Sequence, residues 1–176
     1  MIKLNARELR TQEPDGEEVK KLKKNPIYII CDSVLDTYNV GAIFRLADAA
    51  AVTKVYLCGQ TETPPNPKIK KASISTWKWV EWEYAETAVS AISKIKSQIS
   101  NLKVVCVEQD KKSIAFKDFK PDFPLAIIVG NESFGLSKEI LSVCDEIVEL
   151  PMYGINRSLN VMVSCGIVLY RILEFL

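Results

Sequence analysis

Three separated stretches of the chain carry polar side chains that are able to act on a substrate. They are "YNVGAIFRLADAA" with Asn39 and Arg45, "IIVGNESFGLS" with Asn131 and Glu132, and "LPMYGINRSLNV" with Ser158 and Asn160. The sequence of 176 residues contains no histidine, which excludes Ser-His-Asp and Cys-His nucleophiles and HExxH metal sites. Any chemistry must therefore use guanidinium, amine, carboxylate, amide or hydroxyl groups, or a bound cofactor.

The first stretch predicts the start of a helix with one charged side chain on an apolar surface. Asn39 is a predicted helix N-cap, and Gly41 allows another backbone or a ligand to come close. Arg45 lies among apolar residues inside this helix. Two interpretations of Arg45 stay open at this point: a functional group, or a side chain that reaches water or pairs with Asp48.

The second stretch predicts a tight turn at the carboxyl end of a buried strand. Gly130 and Gly135 have the spacing of a phosphate-binding P-loop, but Leu136 and Ser137 stand where that loop has its lysine and hydroxyl, so nucleotide hydrolysis is disfavoured. No GxGxxG follows the first strand, which disfavours a dinucleotide site. What remains is a ligand site built from backbone amides, or an ordinary turn with a left-handed glycine.

The third stretch joins a strand to an almost wholly apolar helix. Pro151 ends the strand, and Gly154 allows an abrupt turn. Ser158 is a predicted N-cap for a helix from Leu159 that has almost no polar face before Arg171. We expect such a helix to be buried by its own domain on one side and by something else on the other.

Short apolar runs alternate with helical patterns, and these elements must position the polar residues. The predicted strands are 26–31, 54–58, the "WKWVEWEY" run, 103–108, 125–129 and 146–150. Helices are predicted over 40–51, from Ala85 to Ile99 and from Ser137 to Val143. The pattern predicts an α/β fold over 26–176, with about six mostly parallel strands and helices on both faces of the sheet. Residues 1–25 are predicted to form an arm or a peripheral helix.

The cysteines and the distribution of charge indicate the cell compartment and the kind of binding partner. Five cysteines stand far apart without a CxxC pair, which predicts reduced thiols in a cytoplasmic protein, with no disulfide frame and no metal site. No apolar run suits a membrane span, and the polar start predicts no secretory signal. Lys68, Lys70 and Lys71 precede Trp77 and Trp79 with no acid between them. That pattern is typical of an RNA contact or, alternatively, of a solvated loop before a half-buried strand.

The order and spacing of the three stretches resemble the three motifs of the SpoU (TrmH-like) branch of the SPOUT RNA methyltransferases. The similarity extends over roughly residues 26–176 and includes the segment "LCGQTETPPNPKIKKAS". It implies a SPOUT α/β knot, in which the C-terminal chain threads through a loop to form a trefoil knot, and a homodimer through the C-terminal knot helix. It also implies bent S-adenosylmethionine (SAM) as methyl donor, S-adenosylhomocysteine as product and an RNA ribose 2′-hydroxyl as acceptor.

The same resemblance assigns roles residue by residue. The expected catalytic residues are Asn39, Arg45, Glu132, Ser158 and Asn160, with Glu132 helping to hold the arginine. The expected cofactor-binding residues are Val107, Glu108, Gly130, Asn131, Leu150, Met152, Ser158 and Leu159, and the expected RNA contacts are Lys68, Lys70 and Lys71. Because a guanidinium stays protonated up to a pH of about 12, we favour Arg45 as a charged clamp on phosphate and ribose oxygens over a general base.

Other functions stay open from the sequence. A non-catalytic RNA-binding or assembly factor would keep this fold without turnover, although it would be free to lose the five expected catalytic residues. A flavodoxin-like nucleotide or flavin domain fits the α/β pattern alone. Small members of the resembled family often act on tRNA, which favours tRNA over rRNA. Met162 and Ser164 depart from the residues that the family usually has there, which affects local packing.

Overall fold

A sheet of seven parallel strands forms the centre of the computed structural model, which describes residues 3–5 and 7–176. The strands are β1 (Asn25–Asp32), β2 (Val52–Cys58), β3 (Trp82–Ala85), β4 (Lys103–Val107), β5 (Ile114–Ala115), β6 (Leu125–Val129) and β7 (Glu146–Glu149). Their order across the sheet is β3-β2-β1-β6-β4-β7-β5, and every neighbouring pair is parallel. The predicted α/β class is confirmed, with seven strands instead of about six. Residues 1, 2 and 6 of the predicted arm lie outside the described residues.

Helices cover both faces of this sheet. Within the described residues they are α1 (Gly16–Lys20), α2 (Thr37–Ala49), α3 (Pro67–Ser73), α4 (Ala88–Gln98), α5 (Lys138–Val143) and α6 (Val161–Leu173). Residues of β6 alternate between two buried cores: Leu125, Ile127 and Val129 belong to one, Ala126 and Ile128 to the other. Helices α2 and α6 pack in the first core, and α4 and α5 in the second. Strands covered on both faces are apolar at every position, which is why short apolar runs predicted them.

The tryptophan segment differs from the predicted strand. Thr76–Lys78 forms a 3₁₀ helix, and only Trp82–Ala85 joins the sheet. The cause lies upstream, where Asn66 caps the unpredicted helix α3 through its side chain. That helix ends in two consecutive left-handed residues, Ile74 and Ser75, so the chain turns sharply before it can extend.

The N-caps of both functional helices also differ from prediction. Asp36 caps α2, because its carboxylate accepts the Tyr38 amide hydrogen at 2.8 Å. Asn160 caps α6 by accepting the Met162 amide hydrogen at 2.9 Å. The predicted capping roles of Asn39 and Ser158 are therefore wrong, and the α6 helix begins at Val161 instead of Leu159. Aspartate and asparagine are both strong capping residues, so local sequence offered several candidates at each helix start.

One cysteine pair departs from the expectation of reduced thiols. Cys106 on β4 and Cys144 after α5 are joined by a disulfide, with their Cα atoms 6.1 Å apart. They are 38 residues apart in sequence, and only the packing of α5 beside the sheet brings them together. Cys31, Cys58 and Cys165 are free and buried. In the described part of the chain, no helix has the length and apolar character needed to cross a membrane.

Candidate active site

A cavity of about 670 Å³ opens at the edge of the sheet where the carboxyl ends of the parallel strands meet. Ligands bind at this edge in open parallel sheets. Three segments supply its walls: the end of β4 with the residues that follow it, the turn after β6, and the loop between β7 and α6. A cavity of this size accommodates a molecule as large as a nucleoside cofactor.

The predicted cofactor-binding residues come together here. All eight line the cavity: Val107, Glu108, Gly130, Asn131, Leu150, Met152, Ser158 and Leu159. Contact of each with a cofactor stays a prediction. Sequence analysis did not assign Gln109, which also lines the cavity and whose Nε2 donates to the carbonyl oxygen of Arg157 at 2.6 Å. That bond ties the end of β4 to the β7–α6 loop. The available signal for Gln109 was its place directly after a predicted strand.

The turn after β6 is so tightly packed that it requires glycine at positions 130 and 135. A Cβ on Gly130 would lie 2.7 Å from the carbonyl group of Gly135. Gly135 has φ +64° and faces the carboxylate of Glu108, which accepts the Leu136 amide hydrogen at 2.9 Å. The Asn131 side chain accepts two further amide hydrogens of the same turn. Gly135 thus has the left-handed conformation considered from sequence, in a turn that is also a fixed wall of the cavity.

A chain of hydrogen bonds links the three polar stretches. The Glu132 carboxylate accepts the backbone N–H groups of Leu35 and Asp36, each at 3.0 Å. It also accepts the side-chain amide of Asn39 at 3.0 Å. The side-chain amide of Asn160 in turn donates to Asn39 Oδ1 at 3.0 Å. The start of α2, the turn after β6 and the N-terminus of α6 are therefore joined through side chains.

The electrostatic environment of Glu132 defines what this carboxylate can do. Burial raises its pKa, but the hydrogen bonds from Asn39, Leu35 and Asp36 outweigh burial and hold the pKa below its ordinary value. Glu132 is therefore ionised at neutral pH, and three donors already occupy its oxygens. A carboxylate in this state is a poor proton acceptor and a good anchor for the start of α2.

The other two predicted catalytic residues, Arg45 and Ser158, do not join this chain of hydrogen bonds. Ser158 is exposed on the cavity wall. Arg45 is exposed on α2, and it makes no hydrogen bond or ion pair with residues 3–5 or 7–176. It is not held by Glu132, and Asp48, its alternative partner, accepts the Trp79 indole N–H at 2.7 Å instead. The hydrogen bonds therefore join three of the five predicted catalytic residues, Ser158 lies on the cavity wall beside them, and Arg45 stands apart on the surface of α2.

The predicted RNA contacts lie on α3, a short helix fixed against α2. Lys68, Lys70 and Lys71 are all exposed there. A Cβ on Gly41 would lie 2.6 Å from the Ala72 side chain, so the close approach predicted at this glycine is made by α3. The basic helix is thus attached to the helix that carries Asn39 and Arg45.

A parallel α/β domain with a loop-built cavity at its carboxyl edge is a class of ligand-binding enzyme domain. Residues 26–170 match the SpoU rRNA Methylase family. The chain belongs to this family. Its membership confirms the resemblance drawn from the three motifs and, with it, the class of RNA methyltransferase.

Individual relatives agree with this assignment. The tRNA (guanosine(18)-2′-O)-methyltransferase of Aquifex aeolicus is 31% identical over 160 residues, which cover 88% of this chain and 72% of that protein. The 23S rRNA (guanosine-2′-O-)-methyltransferase RlmB of Haemophilus influenzae is 31% identical over 170 residues, which cover 92% of this chain and 65% of that protein. The crystal structure of the A. aeolicus TrmH/SpoU tRNA modifying enzyme is similar with a TM-score of 0.78 at 28% identity, covering 97% of this chain and 81% of that one. The fold class is therefore that of SPOUT methyltransferases, and the threading of the C-terminal chain into a knot stays a prediction.

Proposed function

We propose that this protein is a SAM-dependent enzyme that methylates a ribose 2′-hydroxyl of RNA, with tRNA favoured over rRNA. The observation that carries the proposal is the hydrogen-bonded series Glu132–Asn39–Asn160 at the border of a cofactor-sized cavity. The tRNA enzyme of A. aeolicus shares a larger part of its length with this chain than the rRNA enzyme does, which supports tRNA. An RNA substrate also supports the expected cytoplasmic location of the protein.

The residues of the cavity suit SAM. The apolar residues Leu150, Met152 and Leu159 line the cavity, and so do the acidic residues Glu108 and Glu149. SAM carries a sulfonium and an ammonium group, and carboxylates nearby favour such cations. Pockets for cofactors typically combine apolar walls with a few fixed polar groups in this way. The product, S-adenosylhomocysteine, would use the same walls.

The chain's own contribution to methyl transfer is orientation and charge. When bound, SAM would supply an electrophilic methyl group and would be left as a thioether, and the proton of the 2′-hydroxyl would pass to water. Ser158 and Asn160 line the cavity with groups that can hold the ribose in line with the methyl group. Glu132 keeps the start of α2 in place and already accepts hydrogen bonds from three donors. Protonated Arg45 would stabilise negative charge on phosphate and ribose oxygens.

The outer face of α6 supports a homodimer with active sites between the subunits. Val163, Ile167 and Tyr170 are 38%, 37% and 52% exposed, and they form an apolar stripe at helical spacing on α6. An identical stripe on a second copy is its natural complement under two-fold symmetry. Helix α2 packs against α6, so exposed Arg45 would lie beside that interface and reach groups that a single chain does not offer.

Methyl transfer in vitro tests the proposed function directly. Purified protein is incubated with labelled SAM and unmodified tRNA or rRNA, and the nucleosides are analysed by mass spectrometry. We expect a 2′-O-methyl nucleoside in tRNA that is absent when the protein is omitted. The same analysis of RNA from a deletion strain identifies the position. RNA binding without methyl transfer to either RNA would support the non-catalytic alternative instead.

Joint replacement of Lys68, Lys70 and Lys71 by alanine should weaken RNA binding and make it less sensitive to salt. Each phosphate contact contributes about −0.7 to −0.9 to the slope of log affinity against log salt, so losing three contacts should reduce the slope by about 2 to 3. Fluorescence anisotropy with labelled tRNA over a salt series measures both quantities.

A matched variant removes the same charge from another surface. Lys111, Lys112 and Lys117 are exposed between β4 and β6, and their joint replacement by alanine should change binding much less. Equal losses in the two triple variants would mean that net charge, and not α3, determines RNA binding.

A further inference from the structure

Thr61 is a buried polar residue in the loop after β2, outside the three stretches that carry the predicted catalytic residues. It is 3% exposed, and its backbone N–H donates to the carbonyl oxygen of Cys58 at 3.1 Å. Its hydroxyl bonds in both directions: it donates to the Cys31 carbonyl oxygen at 3.1 Å and accepts the Val34 amide hydrogen at 2.9 Å. A buried hydroxyl is tolerated where it is satisfied, and this one bonds to one group near the end of β1 and to one in the loop that follows.

The two groups that Thr61 holds lie on either side of a backbone kink. Ser33 lies between Cys31 and Val34. Its φ of +54° is a left-handed backbone conformation that residues other than glycine seldom adopt. Such a conformation persists where surrounding contacts impose it. On the far side of the kink, Asn131 Nδ2 donates to the Ser33 carbonyl oxygen at 2.9 Å. The kink is therefore held by Thr61 from the loop after β2 and by Asn131 from the cavity wall.

The residues that follow the kink connect it to Glu132 and Asn39 of the proposed active site. The Leu35 and Asp36 amides donate to Glu132, and Asn39 follows one helical turn later. We propose that Thr61 is a positioning residue for methyl transfer, because its hydroxyl sets the kink that directs the Leu35 and Asp36 amides at Glu132. The reaction part of this inference rests on the proposed function, whereas the effect on the loop does not.

The test compares Thr61→Val with Thr61→Ser. Valine has almost the same shape but leaves the buried Val34 amide without its acceptor, and serine keeps the hydroxyl. A misplacement of about 1 Å can reduce turnover about 100-fold, so we expect Thr61→Val to lower kcat by about 10- to 100-fold. The KM for SAM should stay near the wild-type value, because Thr61 does not line the cavity. Thr61→Ser should restore most of the turnover.

Thr76→Val is the matched control, since Thr76 is also 3% exposed and its hydroxyl donates to Ser73 within its own turn at 2.9 Å. It should keep wild-type kcat even if its melting temperature falls like that of Thr61→Val. Hydrogen–deuterium exchange provides a readout that needs no RNA or SAM: the amides of Leu35 and Asp36 should exchange faster in Thr61→Val and not in Thr76→Val.

Each result decides between the alternatives. Unchanged exchange at Leu35 and Asp36 in Thr61→Val would overturn the inference, as would unchanged kcat or failure of serine to restore it. An equal loss of kcat in Thr76→Val would mean that general destabilisation, and not the loss of the Thr61 hydroxyl from the kink, lowers turnover. If the wild-type protein transferred no methyl group, the proposed function would fail, and the exchange measurement alone would still decide the role of Thr61 in the loop.

Discussion

Replacement of Arg45 by alanine should abolish methyl transfer and leave the affinity for SAM almost unchanged. Arg45 is exposed on α2, does not line the cavity and has no partner among the described residues. Loss of one donor to a developing oxyanion reduces turnover by about 100- to 1,000-fold, and a guanidinium that also holds a phosphate should cost at least as much. Single-turnover assays with labelled SAM measure the loss, and calorimetry with S-adenosylhomocysteine measures the affinity.

Two further variants separate the chemistry of Arg45 from its charge. Arg45→Lys keeps the charge without the planar fork of donors, so we expect partial activity. Lys103→Ala removes an exposed cation at the amino end of β4, at the edge of the sheet opposite to the cavity, and should leave turnover intact. Near-normal turnover of Arg45→Ala would remove Arg45 from the mechanism, whereas equal losses in Arg45→Ala and Lys103→Ala would point to net charge.

The sheet and the cavity wall could be predicted because they follow from local patterns. The run "LAIIV" matches β6 (Leu125–Val129) residue for residue, since a strand covered on both faces must be apolar throughout. The cavity follows from the same topology: parallel strands bring their carboxyl ends to one edge, so Val107, Gly130 and Leu150 meet although they are far apart in sequence. The family motifs then supplied the polar residues at that edge.

The bonds within the site could not be predicted, because they depend on how loops pack. The Asn39–Glu132 bond spans 93 residues and the Asn160–Asn39 bond spans 121. Asn39 and Ser158 were predicted as caps because asparagine and serine cap helices well, but Asp36 and Asn160 stand nearby and are equally suitable. The choice is made by backbone geometry: the Asn39 side chain is directed at Glu132 and not at its own helix.

The burial of Thr61 is a second feature that the sequence could not predict. Threonine is mostly exposed in folded proteins, and nothing in "LCGQTETPP" indicates that this residue is 3% exposed. Its importance comes from the left-handed Ser33, whose conformation local sequence does not indicate either. Arg45 adds a further limit: if the proposed dimer forms, its partner would lie in another copy, which the sequence of one chain does not describe.

Replacement of Ile167 by glutamate should convert a dimer into monomers and abolish methyl transfer. Ile167 stands in the middle of the apolar stripe on α6 and is 37% exposed in the single chain. An ionised carboxylate buried without a partner in an apolar interface costs several kcal/mol, which is enough to separate the subunits. The fold should survive, because glutamate favours helix and the buried face of α6, with Cys165, Val168 and Leu169, is unchanged. Light scattering after size-exclusion chromatography measures the mass, and circular dichroism measures the fold.

Val143→Glu provides the matched control, since Val143 on α5 is 38% exposed and loses the same apolar surface away from α6. It should leave both mass and activity intact. If Ile167→Glu stayed dimeric, the α6 stripe would not be the interface. If it became monomeric and kept its activity, each chain would hold a complete site, and Arg45 would have to reach its own cavity. Loss of dimer and activity together is the result that an active site shared between subunits requires, because Arg45 has no partner among residues 3–5 and 7–176 of its own chain.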